Sequence, residues 1–363
     1  MISALHPVKI ITPALCILLA ACAQCEAKPI TPEGNAARLE NRSSDGSVLA
    51  EAVRSDPQQP LRQVQAIPLP GVKGGFDMMT ADPSGQRFFL DAEDNNSTEV
   101  IDLASGVRAT EINGMYQPKW VVYRPELNRL YVANGDGNIR VLDATTYKFL
   151  HAIHFREKAN NLHYDPSTGE LFVGVGNTFG TIGIVDTKTD RITGEIKLPG
   201  SPNQFELAGN FIYVNVPSAN CIAVIDRNQK KVIAIWPLKA GRGNYPMGID
   251  IVHRRLFVGF QSGKLGIVDL TSGKEIKSLD IAADPDGVHY DEARRLIYVS
   301  CGAGLLDAIK QSGPDRYSVI ARITTAKGAG TSLFEPALGQ LFVPIPAHGA
   351  RAAELRIYAI GKP

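Results

Sequence analysis

The 363-residue chain is poor in several features that would each point to a function. Its 38 Lys+Arg against 37 Asp+Glu leave a formal net charge of +1, too little to capture nucleic acid or an anionic membrane electrostatically. The doublets Lys230-Lys231, Arg254-Arg255 and Arg294-Arg295 are local and read as solvated turn residues. Five cysteines at irregular spacing describe no zinc or disulfide framework. Cys221 and Cys301 are instead expected as small packed residues. The patterns G-x-S-x-G, H-E-x-x-H and C-x-x-C-H are missing, which removes the common serine-hydrolase, zinc-protease and c-type haem signatures. Only two tryptophans occur, and neither Trp120 nor Trp236 recurs in a pattern that would dock a quinone cofactor.

What is present begins with "MISALHPVKIITPALCILLAACAQCEAKP". A lysine precedes an apolar run of roughly a dozen residues and then small residues, which reads as a secretory signal too short to span a membrane. "LAAC", Leu19 to Cys22, resembles the lipobox of bacterial lipoproteins and predicts lipid on Cys22. Plain secretion with cleavage near Ala21-Cys22-Ala23 is the other reading. Residues 1–22 are therefore expected to be a signal peptide, and 23–62, rich in Ser, Asp, Pro and Gln, a flexible tether. Both readings place the mature protein outside the cytoplasm, in the periplasm or on the outer membrane, touching membrane only through the anchor.

From Gln65 onward one phrase recurs: a short apolar strand, an acidic residue, a turn, "R-L-F-V" or a variant, a loop, "V-x-D", a turn and a last strand. Its aromatic falls at Phe89, Tyr131, Phe172, Tyr213, Phe257, Tyr298 and Phe342, with spacings of 42, 41, 41, 44, 41 and 44. Aspartates close the third strand at Asp102, Asp143, Asp186, Asp226 and Asp269, with a weaker match at Asp307. Aspartate there can accept backbone N–H bonds and start the turn. Four short strands per unit with no helical stretch between them predict an all-β protein, a seven-bladed β-propeller of four-stranded blades over residues 63–361. The last unit is one strand short, and "QVQAIPLP" from Gln63 can supply it, closing the ring by pairing N- and C-terminal strands.

"RLYVANGDGNIRVLDATTYKFLHAI" and "RLIYVSCG" resemble the YVTN-type, YncE-like β-propellers of bacteria over roughly residues 64 to 360. The resemblance implies an exported, WD40-like seven-bladed propeller and says almost nothing about chemistry, since related propellers include binding proteins and enzymes.

Counting back five from each acidic position reaches the start of the innermost strand, whose side chains can project into the channel mouth. This gives Asp77, Lys119, Asn160, Asn203, Tyr245, Asp286 and Gly330, with Asn161, Gln204 and Thr331 next to them. These are the candidate ligand residues for an unidentified small molecule or protein partner of a monomeric binding module. No catalytic residue, cofactor or resident metal is expected on that reading. The alternative is a metal-dependent hydrolase such as a lactonase, with calcium on oxygens of Asp77, Asn160, Asn203 and Asp286. Against it, no glutamate joins them and Lys119 would repel a cation.

His163 and His289 each stand beside a tyrosine and an aspartate, in "NNLHYD" and "DGVHYD", three periods apart. Their position predicts packing between blades, with the tyrosines as core and the aspartates as turn formers. His151 and His154 of "HAIH" fall in an outer strand and are expected on the surface.

Overall fold

A computed structural model describes residues 60–361 apart from Pro83 and Gly85. The signal segment, Cys22, Cys25 and the tether up to residue 59 lie outside the described residues.

The described residues form seven four-stranded antiparallel sheets. In six of them the strands follow chain order from the centre outward, so each hairpin connects neighbours and every sheet is one sequence repeat. The innermost strands are Met79–Ala81, Pro118–Arg124, Ala159–Asp165, Phe205–Ala208, Asn244–Asp250, Pro285–Asp291 and Leu333–Glu335, for blades one to seven. Each touches the next around the ring, and the seventh returns to the first. The protein is thus a closed seven-bladed β-propeller, as the period predicts.

The seventh sheet is assembled from both ends of the fold. Leu61–Leu69 forms its outermost strand against Ala353–Ile360, with Ile67 opposite Leu355 and Leu69 opposite Ala353. The strand starts two residues ahead of Gln63. Leu61, Ile67 and Leu69 are fully buried, and their packing against the last blade holds the ring shut.

The seven aromatic anchors sit in the second strand of each blade, and all are buried. Four of them meet aromatics of the following blade: Phe89 meets Tyr123 at 5.6 Å, Phe257 meets Tyr290 at 5.4 Å, Tyr298 meets Phe334 at 5.5 Å and Phe342 meets Phe88 at 4.6 Å. Face-to-face sheets need one bulky side chain at the same depth in each repeat, which explains the regular spacing.

The third-strand aspartates cap their turns. Asp102 Oδ1 accepts from Ser105 N at 2.9 Å, Asp186 Oδ1 from Lys188 N at 2.9 Å and Asp226 Oδ1 from Gln229 N at 2.9 Å. These backbone donors hold the three carboxyls below the usual carboxylate range. Asp307 is different. The third strand of blade six runs on from Leu305 to Gly313, and Lys310 occupies the position of the other aspartates, opposite Leu296. Asp307 is mid-strand and buried, and it binds Ala282 N at 2.8 Å and Arg322 Nε at 2.7 Å.

His163 packs between Trp120 of blade two and Phe205 of blade four, at ring distances of 5.2 and 4.6 Å. His289 Nε2 meets the Ser332 carbonyl of blade seven at 3.0 Å. Burial pushes both imidazoles down to about 4. Asp165 and Asp291 accept turn amides from Ser167 and Arg294, so the repeated trio is a feature of the fold. His154 is exposed on its outer strand and His151 is half-buried there, 3.0 Å from Asp190 Oδ2. Cys221 and Cys301 are free and buried.

Candidate functional site at the channel mouth

The innermost strands do not begin as regular ladders. In blade two the pairing slips between Pro118 and Trp120, in blade three between Ala159 and Asn161, and in blade six between Pro285 and Gly287. In blade five it slips between Asn244 and Met247. The residues left unpaired are Lys119, Asn160, Asp286 and Tyr245 with Pro246. Blade one repeats the arrangement through Asp77 N to Asp91 O at 2.9 Å and Asp91 N to Met78 O at 3.1 Å. Blade four does so through Asn203 N to Asn215 O at 2.9 Å and Asn215 N to Gln204 O at 3.1 Å. Two residues thus oppose one in six blades, a bulge that turns a side chain out of the sheet.

The six bulges deliver Asp77, Lys119, Asn160, Asn203, Tyr245 and Asp286 to one cavity of about 210 Å³. Asn161 and Gln204 line it as well. A second cavity of about 480 Å³ adjoins it along Lys158, Asn160, Asn203 and Tyr245 and extends toward Ser201 and Ser218. Thr331 does not join. It is buried, and so is Gly330, which lines neither cavity and packs where a Cβ would stand 3.2 Å from Asp286 Cβ.

The floor is a side chain that the sequence reading placed only as a neighbour. Gln204 Nε2 donates to the Asp286 carbonyl at 3.1 Å, and its Oε1 accepts from Met247 N at 3.3 Å. Its amide also meets Met78 Sδ at 3.9 Å. Gln204 of blade four thereby touches blades one, five and six, and the mouth is a cup rather than an open pore.

Charge in the cup is compensated in one part and not in another. Lys119 Nζ lies 3.5 Å from Asp77 Oδ2 and is also paired with Glu93. Burial nonetheless raises Asp77 to about 7 against the pull of Lys119, and it lowers Lys119. Behind Asp77, the fully buried Asp91 accepts from Thr98 Oγ1 at 2.6 Å, its other oxygen has no partner, and burial holds its carboxyl well above the usual range. Asp286 is half-buried, makes no side-chain hydrogen bond among the described residues, and is raised by burial to about 6. Glu93, Lys158, Gln261 and Asp284 were not foreseen; they come from loops around the strand starts, where the repeat imposes no residue type. No glutamate lines the cavity among the described residues; Glu93 stands outside that lining and pairs with Lys119.

No protein-family model matches the chain, and no curated protein matches it. Among solved structures it is similar to hydrazine synthase of Kuenenia stuttgartiensis at TM-score 0.62 and 16% identity, covering 75% of this chain and 94% of that one. It is also similar to the WD40 repeats of RRP9 at TM-score 0.70 and 11% identity, covering 83% of this chain and 97% of that one. At such identities the likeness shows the fold, and the class it defines is the β-propeller.

Proposed function

We propose that this is an exported bacterial β-propeller of the YVTN type, tethered or secreted into the envelope, that works as a binding module with its ligand in the cup at the channel mouth. The observation that carries the reading is the bulge at the start of six innermost strands, each aiming its residue into the same cavity. A bulge costs ladder hydrogen bonds, and its repetition at the one place where the blades converge fits a surface built to meet something. The WD40 likeness suits an interaction module, and the polar cup suits a small hydrophilic ligand more than an apolar one.

The metal-hydrolase alternative is the weaker, because the Lys119 ammonium stands 3.5 Å from Asp77 Oδ2 and would repel a calcium ion held there. Stoichiometric metal retained after dialysis and lost in Asp77→Ala would reverse that preference. For the binding reading, a thermal-shift screen of polar metabolites should give hits that Asn160→Leu, at a bulge facing both cavities, abolishes without lowering the ligand-free Tm by more than a few degrees. Hits unaffected by Asn160→Leu and by Asn203→Leu would place the ligand elsewhere and overturn it.

A further inference from the structure

The cup has two ends of opposite charge that the protein does not itself neutralise. At blade three, Lys158 lines both cavities, and no carboxylate lies within salt-bridge distance of its ammonium among the described residues. At blade six, nearly across the ring, the Asp286 carboxylate faces the same space with no hydrogen-bond or ion-pair partner among the described residues, and the exposed Asp284 stands beside it. Between them, Lys119 is spent on Asp77 and Glu93. Lys158 and Asp286 both act on the charge of Asp77, and no ion pair joins the two ends among the described residues. Asn160 and Asn203 stand along the wall, their amides able both to donate and to accept.

We propose that the ligand is a small zwitterion, a cationic nitrogen joined to a carboxylate through a short chain as in an amino acid or dipeptide, with the nitrogen at Asp286 and the carboxylate at Lys158. This rests on the cup being the binding site. A neutral ligand such as a sugar would cover both charges and leave them unpaired, which is costly once water is displaced. A simple anion would meet the carboxylates of Asp284 and Asp286, and a simple cation would meet Lys158. Only a molecule bearing both signs satisfies both ends, and the amide wall serves the polar atoms between.

The test is calorimetric titration of the full chain with glycine, β-alanine and alanyl-alanine, alongside the half-charged n-propylamine and propionate and the neutral sucrose. At least one zwitterion should bind at least tenfold more tightly than either half-charged compound. Asp286→Asn and Lys158→Gln should each weaken it tenfold or more. Both variants should fold, because neither side chain has a bonded partner to lose. Equal affinity for a half-charged compound, or zwitterion binding indifferent to both variants, overturns the ligand class. Binding of sucrose alone, lost in Asn160→Leu, also overturns it while leaving the cup as the binding site. Silence from all six compounds together with metabolite hits that survive Asn160→Leu overturns both readings.

Discussion

Gln204 and Asp286, from blades two steps apart in the ring, are joined across the channel by a bond from the Gln204 amide to the Asp286 backbone carbonyl at 3.1 Å. The same side chain accepts from Met247 N. Two backbone groups of two other blades therefore depend on one amide. Gln204→Ala should leave both unpaired and cost about 1–3 kcal/mol. Urea unfolding would measure it, and an unchanged midpoint would mean that water takes over both bonds.

The closing strand is tested at Ile67, which is fully buried opposite Leu355. Ile67→Ala should destabilise by about 2–5 kcal/mol. The companion change Val64→Ala, at an exposed position of the same strand, should stay within about 0.5 kcal/mol. Equal effects would mean that the strand does not pack as described.

Glu206 shares the register of His163 and His289, opposite the aromatic anchor of its blade. Burial raises its carboxyl to about 8. An acid whose folded pKa lies above its unfolded value contributes stability at low pH and loses it as pH rises from the unfolded pKa through the folded one. Glu206→Gln should therefore be more thermostable than the parent at pH 8.5 (roughly one half-unit above that folded pKa), with the difference shrinking toward pH 4.5, near the ordinary glutamate pKa. A difference independent of pH would show the carboxyl to be solvated.

For the two inner histidines the sign is opposite. With folded values of about 4, below the ordinary imidazole value near 6.5, they bind fewer protons folded than unfolded. Stability is then lost as pH falls from about 6.5 toward 4. Their ring-proton NMR signals should stay flat between about pH 5.5 and 8. A titration in that range from either residue would contradict its burial.

The legible parts of this protein are those that every repeat must solve alike. The anchors from Phe89 to Phe342 and the turn aspartates recur because each blade needs the same bulk at one depth and the same amide acceptor at one corner. The mouth positions could be counted from them, although the bulge that turns Lys119 or Asp286 outward leaves no mark in residue type. Asp307 misled because the hairpin of blade six is longer, which moves an acid from a turn into a sheet. Glu93 and Lys158 were unreadable for a simpler reason: they sit in connections whose course is set by neighbours rather than by period. Glu206 was hidden by the shortened turn of "FELAGN", which shifts blade four out of step with the others.

The seventh blade carries a consequence for how the molecule is made. Its outer strand, Leu61–Leu69, is among the first described residues to be synthesised, and its partner, Ala353–Ile360, is the last strand. Until that partner emerges, a strand with three buried-type side chains must wait unpaired, and six blades stand as an open arc with two raw flanks. The entropic cost of closing a loop grows only logarithmically with its length, so the extra length weighs little on the finished ring at equilibrium. The penalty is in time: pairings remote in sequence form slowly, and the open arc is the state in which two nascent chains could exchange Leu61–Leu69.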